Sequence, residues 1–104
     1  MRGYMYILLC SDGSYYTGST NDLERRLQQH HSGIGSNHTK KRLPVQLIYL
    51  EIFDRIDLAF YREKQVQSWS RRKKEALINN CPEELKKAAE CLNITSHKNY
   101  KKSN

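Results

Sequence analysis

The segment YMYILLCSDGSYYTGSTNDLERRLQQH, from Tyr4 to His30, contains the clearest signals for secondary structure. It begins with an apolar run that ends at Cys10, and after a turn signal it continues with a second run from Ser14 to Ser19. Short runs rich in aromatic and β-branched residues, bounded by turn residues, are typical of strands. The stretch therefore predicts a β-hairpin followed by a helix.

The length of the hairpin turn decides which tyrosines share a face of the sheet. A two-residue turn would place Tyr6 and Tyr16 on opposite faces, because successive side chains alternate along a strand. A three-residue turn, Ser11 to Gly13, ends on a glycine in the left-handed region and pairs Tyr6 with Gly18. The third position of that turn calls for glycine, so we expect this register, with Tyr6 and Tyr16 on one face. The missing side chain of Gly18 would then leave room for a ligand beside Tyr6.

The residues after the hairpin predict a helix that carries two polar groups on its apolar stripe. Asn21 is the expected N-cap, with Glu24 reaching back as in a capping box. Helical spacing puts Arg26 and His30 on the stripe that faces the sheet. They form either the edge of the core or a pair of groups aimed at a cleft.

The rest of the chain predicts a third strand, Val45 to Phe53, followed by further helices. Glu63 falls on the apolar stripe of the next helix, and a buried carboxylate is costly unless it is paired or binds a cation. It either forms a salt bridge, with Arg26 or another basic residue, or holds a cation. The order β-β-α-β-α-α predicts an α/β (α+β) fold, in which helices flank a small three-stranded antiparallel sheet.

We expect one domain with a C-terminal extension. Residues 1–80 form the domain, residues 81–94 form a helix packed on it or extending it, and residues 95–104 form a basic, disordered tail. Residues 34–43 are expected to be a loop that carries His38 and the basic residues Lys40, Lys41 and Arg42. These four side chains are the weaker candidates for contacts with a substrate, and solvent-exposed positions are the alternative.

Composition favours a polyanionic partner. Lys and Arg outnumber Asp and Glu by 18 to 11, which gives the 104-residue chain a formal net charge of +7. Cations that neutralise phosphates release counterions and gain affinity, although a merely soluble basic surface carries the same charge. Three cysteines without a CxxC pair favour a reduced, cytoplasmic protein, and no apolar stretch approaches the length that spans a membrane.

The ordered set of motifs resembles the GIY-YIG nuclease superfamily. Tyr4-Met5-Tyr6 stands where the family has Gly-Ile-Tyr, and Tyr16-Thr17-Gly18 stands for Tyr-Ile-Gly. The segment Leu23 to His30 matches the helix that supplies the family's arginine and a frequent histidine, and Glu63 stands where the family keeps a metal-binding glutamate. The resemblance covers roughly residues 3–78 and is greatest to the small stand-alone bacterial proteins grouped as UPF0213. The chain departs from the pattern at Tyr4 and Thr17, and by the nine residues between the two tyrosines.

The resemblance implies a site chemistry. Glu63 would hold one divalent cation, Mg²⁺ or Mn²⁺, and Arg26 would grip the non-bridging oxygens of a phosphate. Tyr6 and Tyr16 would position and deprotonate the attacking water, and a phenol base needs cationic neighbours that lower its pKa. Which tyrosine is the base stays open, as does the role of His30 as an acid, a base or a phosphate contact.

The expected function is therefore a metal-dependent endonuclease that hydrolyses phosphodiester bonds in DNA, structure-selective and linked to repair or recombination. It would be a cytoplasmic monomer without membrane association, with a protein partner that supplies targeting. The main alternative is a nucleic-acid-binding module that keeps the fold and charge without useful catalysis. A third is a protein-interaction domain whose tyrosines are merely packed.

Overall fold

The computed structural model describes the backbone of residues 1–102 and the side chains of residues 1–94. The predicted order of strands and helices is confirmed, with one short helix added where a loop is expected. The elements are β1 (Gly3–Leu9), β2 (Tyr15–Thr20), α1 (Leu23–His31), α2 (Asn37–Lys40), β3 (Gln46–Phe53), α3 (Ile56–Gln67), α4 (Arg71–Asn79) and α5 (Glu83–Lys102).

The three strands form one antiparallel sheet in the order β2-β1-β3. Tyr6 pairs with Gly18, as the three-residue turn requires. The Cys10 amide donates to the Ser14 carbonyl oxygen at 2.9 Å, and Gly13 has a φ of 84°. The predicted turn and register are therefore confirmed, and β2 is an edge strand.

Side chains alternate along β1 into two separate cores. Tyr6 and Leu8 belong to a core between the sheet and the pair α1 and α5, whereas Met5 and Ile7 belong to a core under α3 and α4. The central strand is thus apolar on both faces because helices cover both, as its sequence predicts. The first core also contains Cys10, Leu23, Leu27, Val45, Leu47, Leu50 and Ala89, and the second Tyr49, Val66 and Cys81.

The N-cap of α1 is Asp22 and not Asn21 as expected from the sequence. The Asp22 carboxylate accepts a hydrogen bond from the backbone N–H of Arg25 at 3.3 Å. The Asp22 amide in turn donates to the hydroxyl of Thr20 at the end of β2, at 3.1 Å. This bond anchors the cap to the end of the strand, so the helix begins one residue later than the capping-box pattern suggests.

The expected loop after α1 contains the short helix α2. Its N-cap is Ser36, whose hydroxyl accepts from the Thr39 amide, while the Thr39 hydroxyl accepts from the Ser36 amide. The two residues satisfy each other's backbone donors, which stabilises a single turn of helix that has too few residues to show a periodic pattern. The sequence prediction of an irregular loop is therefore wrong for residues 37–40.

Helix α5 packs against β3 and α1 and closes the first core. Its Ala89 is 3% exposed, and the Asn93 side chain makes two hydrogen bonds to the main chain of Leu47, at 2.7 and 2.8 Å. The C-terminal helix predicted for residues 81–94 thus packs on the domain. Its backbone continues as helix to Lys102 instead of ending at the expected disordered tail. The side chains from residue 95 onward, and residues 103–104, lie outside the described residues.

In the part of the chain that the structure describes, no helix combines the length and the hydropathy needed to cross a bilayer. Cys10, Cys81 and Cys91 are all free thiols, the first two of them buried.

Candidate active site

The site lies on the face of the sheet that carries the first core, beside the edge strand β2. The ring centroids of Tyr6 and Tyr16 are 6.4 Å apart, and the His30 ring lies 5.8 Å from the first and 5.3 Å from the second. The Tyr6 hydroxyl and His30 Nε2 are hydrogen-bonded at 3.0 Å. The fold therefore brings together three side chains that the sequence analysis predicts as a group.

The two tyrosines differ in their access to solvent. Tyr6 is 1% exposed and lies between the sheet and α1, whereas Tyr16 is half-buried on the edge strand. A water molecule or a substrate can therefore reach Tyr16, while Tyr6 stands behind it.

The space beside Gly18 is not open to a ligand, in contrast to the expectation from the sequence, but is filled by the Tyr6 side chain. A Cβ atom on Gly18 would lie 2.5 Å from the Tyr6 hydroxyl oxygen and 3.1 Å from a ring carbon of Tyr16. The space that the missing side chain leaves is therefore filled by the Tyr6 phenol, and no room for a ligand remains there. Gly18 shapes the site by letting Tyr6 lie flat against the edge strand.

Arg26 reaches the phenols from α1. Partial burial acts to lower the pKa of its guanidinium, but the neighbouring hydroxyls of Tyr6 and Tyr16 raise it. Its Nη1 donates to Gln29 Oε1 at 2.9 Å. The side chain is partly exposed and borders a surface depression of about 240 Å³. The predicted position, on the stripe of α1 that faces the sheet, is confirmed.

Burial sets the protonation states of the inner pair. It raises the pKa of Tyr6 to about 12, although hydrogen bonding to Arg26 and the charge of Arg26 act in the opposite direction. Burial, together with the positive charges of Arg26 and His31, lowers the pKa of His30 to about 4. His30 is therefore neutral at pH 7 and adds no positive field. For Tyr6, desolvation outweighs the lowering that its cationic neighbour Arg26 provides, so the net pKa is raised.

Helix α2 brings two more residues to the site. The His38 ring stacks on Tyr16 with centroids 6.0 Å apart, and its Nε2 is hydrogen-bonded to the Ser14 hydroxyl at 3.0 Å. His38 is therefore a half-buried neighbour of Tyr16 and not a solvated loop residue. Thr39, which sequence reasoning missed, is fully buried with Oγ1 2.9 Å from His30 Nδ1. The Ser-x-x-Thr spacing of residues 36–39, a capping pattern, is the signal that could have found it.

The basic residues after α2 differ from one another in their contacts. Arg42 forms a salt bridge to Asp12 in the hairpin turn at 2.8 Å and donates to the His38 carbonyl oxygen at 2.9 Å. Hydrogen bonds from Ser14, together with Arg42, lower the pKa of Asp12 to about 2, so this pair stays ionised at neutral pH. Lys40 and Lys41 are exposed. Arg42 thus ties the turn to α2, while the two lysines keep their charges at the surface.

Glu63 approaches β2 from the opposite face, on α3. It is 9% exposed, and its two carboxylate oxygens accept hydrogen bonds from the Ser19 hydroxyl at 2.5 Å and the Gln67 amide at 2.6 Å. Among the described side chains its ion-pair partner is Lys64, at 3.7 Å and more than half exposed. A strong internal salt bridge, the alternative weighed from the sequence, is therefore not what holds this carboxylate.

The donor set around Glu63 fits a cation that keeps most of its water. Within residues 1–94 no cluster of three His, Cys, Asp or Glu side chains could hold a metal ion. Mg²⁺ is commonly bound by one or two carboxylates together with waters and substrate phosphates, so a single carboxylate held by two hydrogen bonds is compatible with it. The Ser19 and Gln67 contacts hold the carboxylate in place and leave lone pairs on both oxygens.

Two surface depressions lie at the end of β2, and together they are called the groove. The depression beside Arg26 adjoins a second one of about 520 Å³, and the two share Thr20 and Asn21. Ser19, the partner of Glu63, lines the second depression. A phosphodiester lying across this end of the strand would meet the guanidinium on one side and the carboxylate region on the other.

Comparison with known proteins identifies relatives of this chain. Residues 2–76 match the family model described as the GIY-YIG catalytic domain. A UPF0213 protein of Haloquadratum walsbyi is 47% identical over 74 residues, which cover 71% of this chain and 83% of the relative. A UPF0213 protein of Staphylococcus saprophyticus is 47% identical over 78 residues, which cover 75% and 95% of the two chains.

A solved structure also resembles this fold. The solution NMR structure of the UPF0213 protein BH0048 from Bacillus halodurans matches with a TM-score of 0.52 and 44% sequence identity. The match covers 76% of this chain and 84% of that one. The resemblance noted in the sequence is confirmed, and the matched region contains both tyrosine motifs, α1 and α3. The chain therefore belongs to the GIY-YIG family of nucleases.

Proposed function

We propose that the protein is a metal-dependent endonuclease that hydrolyses phosphodiester bonds in DNA. One observation carries the proposal: two phenols, a neutral imidazole and a guanidinium converge on one side of an edge strand whose other side holds a buried carboxylate. A nucleic-acid-binding module would use the arginine, but it has no evident need for Glu63 or for two phenols beside the guanidinium.

Arg26 is proposed to bind the phosphate. Its planar fork suits two non-bridging oxygens at once, and its exposed edge borders the groove. Tyr6 and Tyr16 lie beside the guanidinium, and Gln29 accepts a hydrogen bond from its Nη1. Arg26 can therefore present a fixed cation to the substrate without a large loss of side-chain entropy on binding.

Tyr16 is proposed to orient the attacking water and to take its proton. It is the more accessible phenol, and its ring is held between His30 and His38. Tyr6 is proposed to support the site from behind, since it is buried and its hydroxyl is already bonded to His30. This assignment separates two roles that the sequence analysis left open.

Glu63 is proposed to hold one divalent cation, Mg²⁺ or Mn²⁺. The cation would supply a positive charge that stabilises the developing charge on the phosphate and the leaving oxygen. Ser19 and Gln67 hold the carboxylate by hydrogen bonds, and Ser19 also lines the groove at the end of β2. Selectivity for DNA structure, a role in repair or recombination, a targeting partner and a monomeric state stay predictions.

The test is cleavage of end-labelled duplex, branched and single-stranded DNA with Mg²⁺ or Mn²⁺. We expect the wild type to cleave at least one substrate and Glu63→Gln to lose cleavage while it keeps salt-sensitive binding. The matched control is Glu90→Gln, which changes an exposed carboxylate on α5 and should leave the rate unchanged.

The outcomes separate the candidate functions. Loss of cleavage in Glu63→Gln alone supports the endonuclease, and the ranking of substrates indicates which DNA structure it prefers. Binding without cleavage by any of the three proteins would contradict the proposal and favour the binding module instead.

A further inference from the structure

A chain of hydrogen bonds leads from the site into α2. The Tyr6 hydroxyl is bonded to His30 Nε2 at 3.0 Å, and His30 Nδ1 is bonded to Thr39 Oγ1 at 2.9 Å. The Thr39 hydroxyl donates to the Ser36 carbonyl oxygen at 3.3 Å. The three side chains Tyr6, His30 and Thr39 are at most 1% exposed. Bulk water therefore does not compete for these bonds.

The two ends of this chain fix the direction in which its protons point. At one end the Arg26 guanidinium, a neighbour of the Tyr6 hydroxyl, can only donate. At the other end the Ser36 carbonyl can only accept. If the Tyr6 oxygen accepts from Arg26, the Tyr6 proton goes to His30 Nε2. Nδ1 must then carry the ring proton and donate it to Thr39, whose own proton goes to Ser36.

This assignment satisfies every hydrogen-bonding group of the Thr39 hydroxyl. One lone pair accepts from His30 Nδ1, and the second accepts from the Ser36 amide at 3.2 Å. The proton goes to Ser36, whose carbonyl oxygen lies at 3.3 Å and whose hydroxyl oxygen lies at 3.1 Å. The opposite tautomer would make the Tyr6 oxygen accept from both Arg26 and His30. The proton of a buried phenol would then need another acceptor, which costs free energy if none is found.

We propose that Thr39 is a positioning residue of the site, whose hydroxyl takes the Nδ1 proton of His30 and fixes this imidazole in the Nδ1–H tautomer. The Tyr6 proton then points at Nε2, and the lone pairs of the Tyr6 oxygen face Arg26. Thr39 thus orients the guanidinium through two intervening side chains. The effect on cleavage rests on the proposed function, whereas the tautomer does not.

The direct test is a long-range ¹H–¹⁵N correlation spectrum of the full-length, ¹⁵N-labelled protein at pH 7. In the wild type we expect a protonated, pyrrole-type Nδ1 and an unprotonated, pyridine-type Nε2 for His30. Thr39→Val keeps the shape of the side chain but removes the hydroxyl that accepts from His30 Nδ1, so we expect the ring proton to move to Nε2. Thr39→Ser keeps the hydroxyl and should keep the wild-type tautomer.

A second variant distinguishes the effect of losing the Thr39 hydroxyl from the effect of destabilising α2. Ser36→Ala removes the capping hydroxyl but keeps the carbonyl that ends the chain, so its tautomer should match the wild type. The rate of DNA cleavage is measured for the same proteins. We expect Thr39→Val to lower it by about 10- to 100-fold, as for other residues that orient a site ligand, and Thr39→Ser to restore it.

The outcomes that overturn this proposal differ from those that overturn the proposed function. An Nε2–H tautomer in the wild type, an unchanged tautomer in Thr39→Val, or an equal change in Ser36→Ala each overturns it. If the wild type cleaves no DNA, the proposed function fails. The ¹⁵N chemical shifts of His30 still decide whether Thr39 fixes the tautomer.

Discussion

At the scale of single residues, the site separates an outer phenol from an inner one. Replacing Tyr16 with Phe removes the hydroxyl that can meet water and substrate, and we expect the cleavage rate to fall by about 100-fold or more. The free energy of unfolding should change by about 1 kcal/mol or less, because the ring stays and the hydroxyl is not enclosed. Single-turnover kinetics and urea unfolding measure the two effects.

The matched control for this prediction is Tyr15→Phe. Tyr15 precedes Tyr16 but faces the other side of the sheet, where its ring lies under the Arg71 guanidinium at 4.2 Å from the ring centroid. Its rate should equal that of the wild type. Equal losses in both variants would mean that the phenols matter for the hairpin and not for the chemistry.

The neutral His30 predicts how stability depends on pH. Its pKa is lowered to about 4 in the folded protein, so the unfolded chain binds more protons between pH 4 and pH 6.5. The free energy of unfolding should therefore fall as the pH drops through this range, by up to about 3 kcal/mol. Urea unfolding at several pH values measures it, and His30→Gln should show a shallower dependence. Parallel curves for the two proteins would contradict the buried, neutral state.

At the scale of the elements, the β1–β2 hairpin provides the space that the Tyr6 side chain occupies beside Gly18. Gly18→Ala would put a Cβ 2.5 Å from the Tyr6 hydroxyl oxygen, and such overpacking typically costs about 1–3 kcal/mol. We expect Tyr6 to leave His30 and Arg26, so cleavage should fall together with stability.

A control at the turn separates stability from chemistry. Gly13→Ala meets no atom within 4 Å, but its φ of 84° imposes a backbone strain of about 1–2 kcal/mol. It should therefore lose a similar amount of stability while its cleavage rate stays near that of the wild type. Equal losses of rate in both variants at a temperature where both are folded would show that Gly18 has no particular role.

The sequence predicted those elements whose local signals agree with their packing. The three-residue turn was predicted because its third position takes a glycine in the left-handed region, although a two-residue Asp12-Gly13 turn also suits a glycine there. The apolar stripe of α1 was predicted from helical spacing. Helix α2 could not be predicted in this way, since one turn of helix shows no hydrophobic period. Its stability comes from the side chains of Ser36 and Thr39. The use of Gly18 and the neutral state of His30 depend on three-dimensional burial, which spacing does not encode.

At the scale of the whole molecule, the net charge of +7 predicts DNA binding that weakens steeply with salt. Removing the exposed charges in Lys40→Gln/Lys41→Gln should lower the slope of log affinity against log salt by up to about two, if both lysines contact phosphates. Arg42→Gln should change it less, because Arg42 is already paired with Asp12. Fluorescence anisotropy over a salt series measures the slope. An unchanged slope would place the DNA elsewhere.

The control for this surface lies on α5. Lys86 and Lys87 are exposed on that helix, so Lys86→Gln/Lys87→Gln removes the same charge at a different place. Its slope should stay close to that of the wild type. A drop as large as that of the Lys40 and Lys41 variant would mean that total charge, and not the surface beside α2, governs binding.

The hydrogen bonds between Asn93 and Leu47 cover part of the free edge of β3, through which copies of the protein could associate. β3 ends the sheet, and an uncovered edge offers free amides and carbonyls that can pair with a strand of another molecule. The Asn93 amide occupies both main-chain groups of Leu47, as an added strand would. Asn93→Ala should therefore make the protein self-associate on heating or storage, which light scattering would detect. On this prediction, one side chain on the C-terminal helix would protect the edge of β3 from strands of neighbouring molecules.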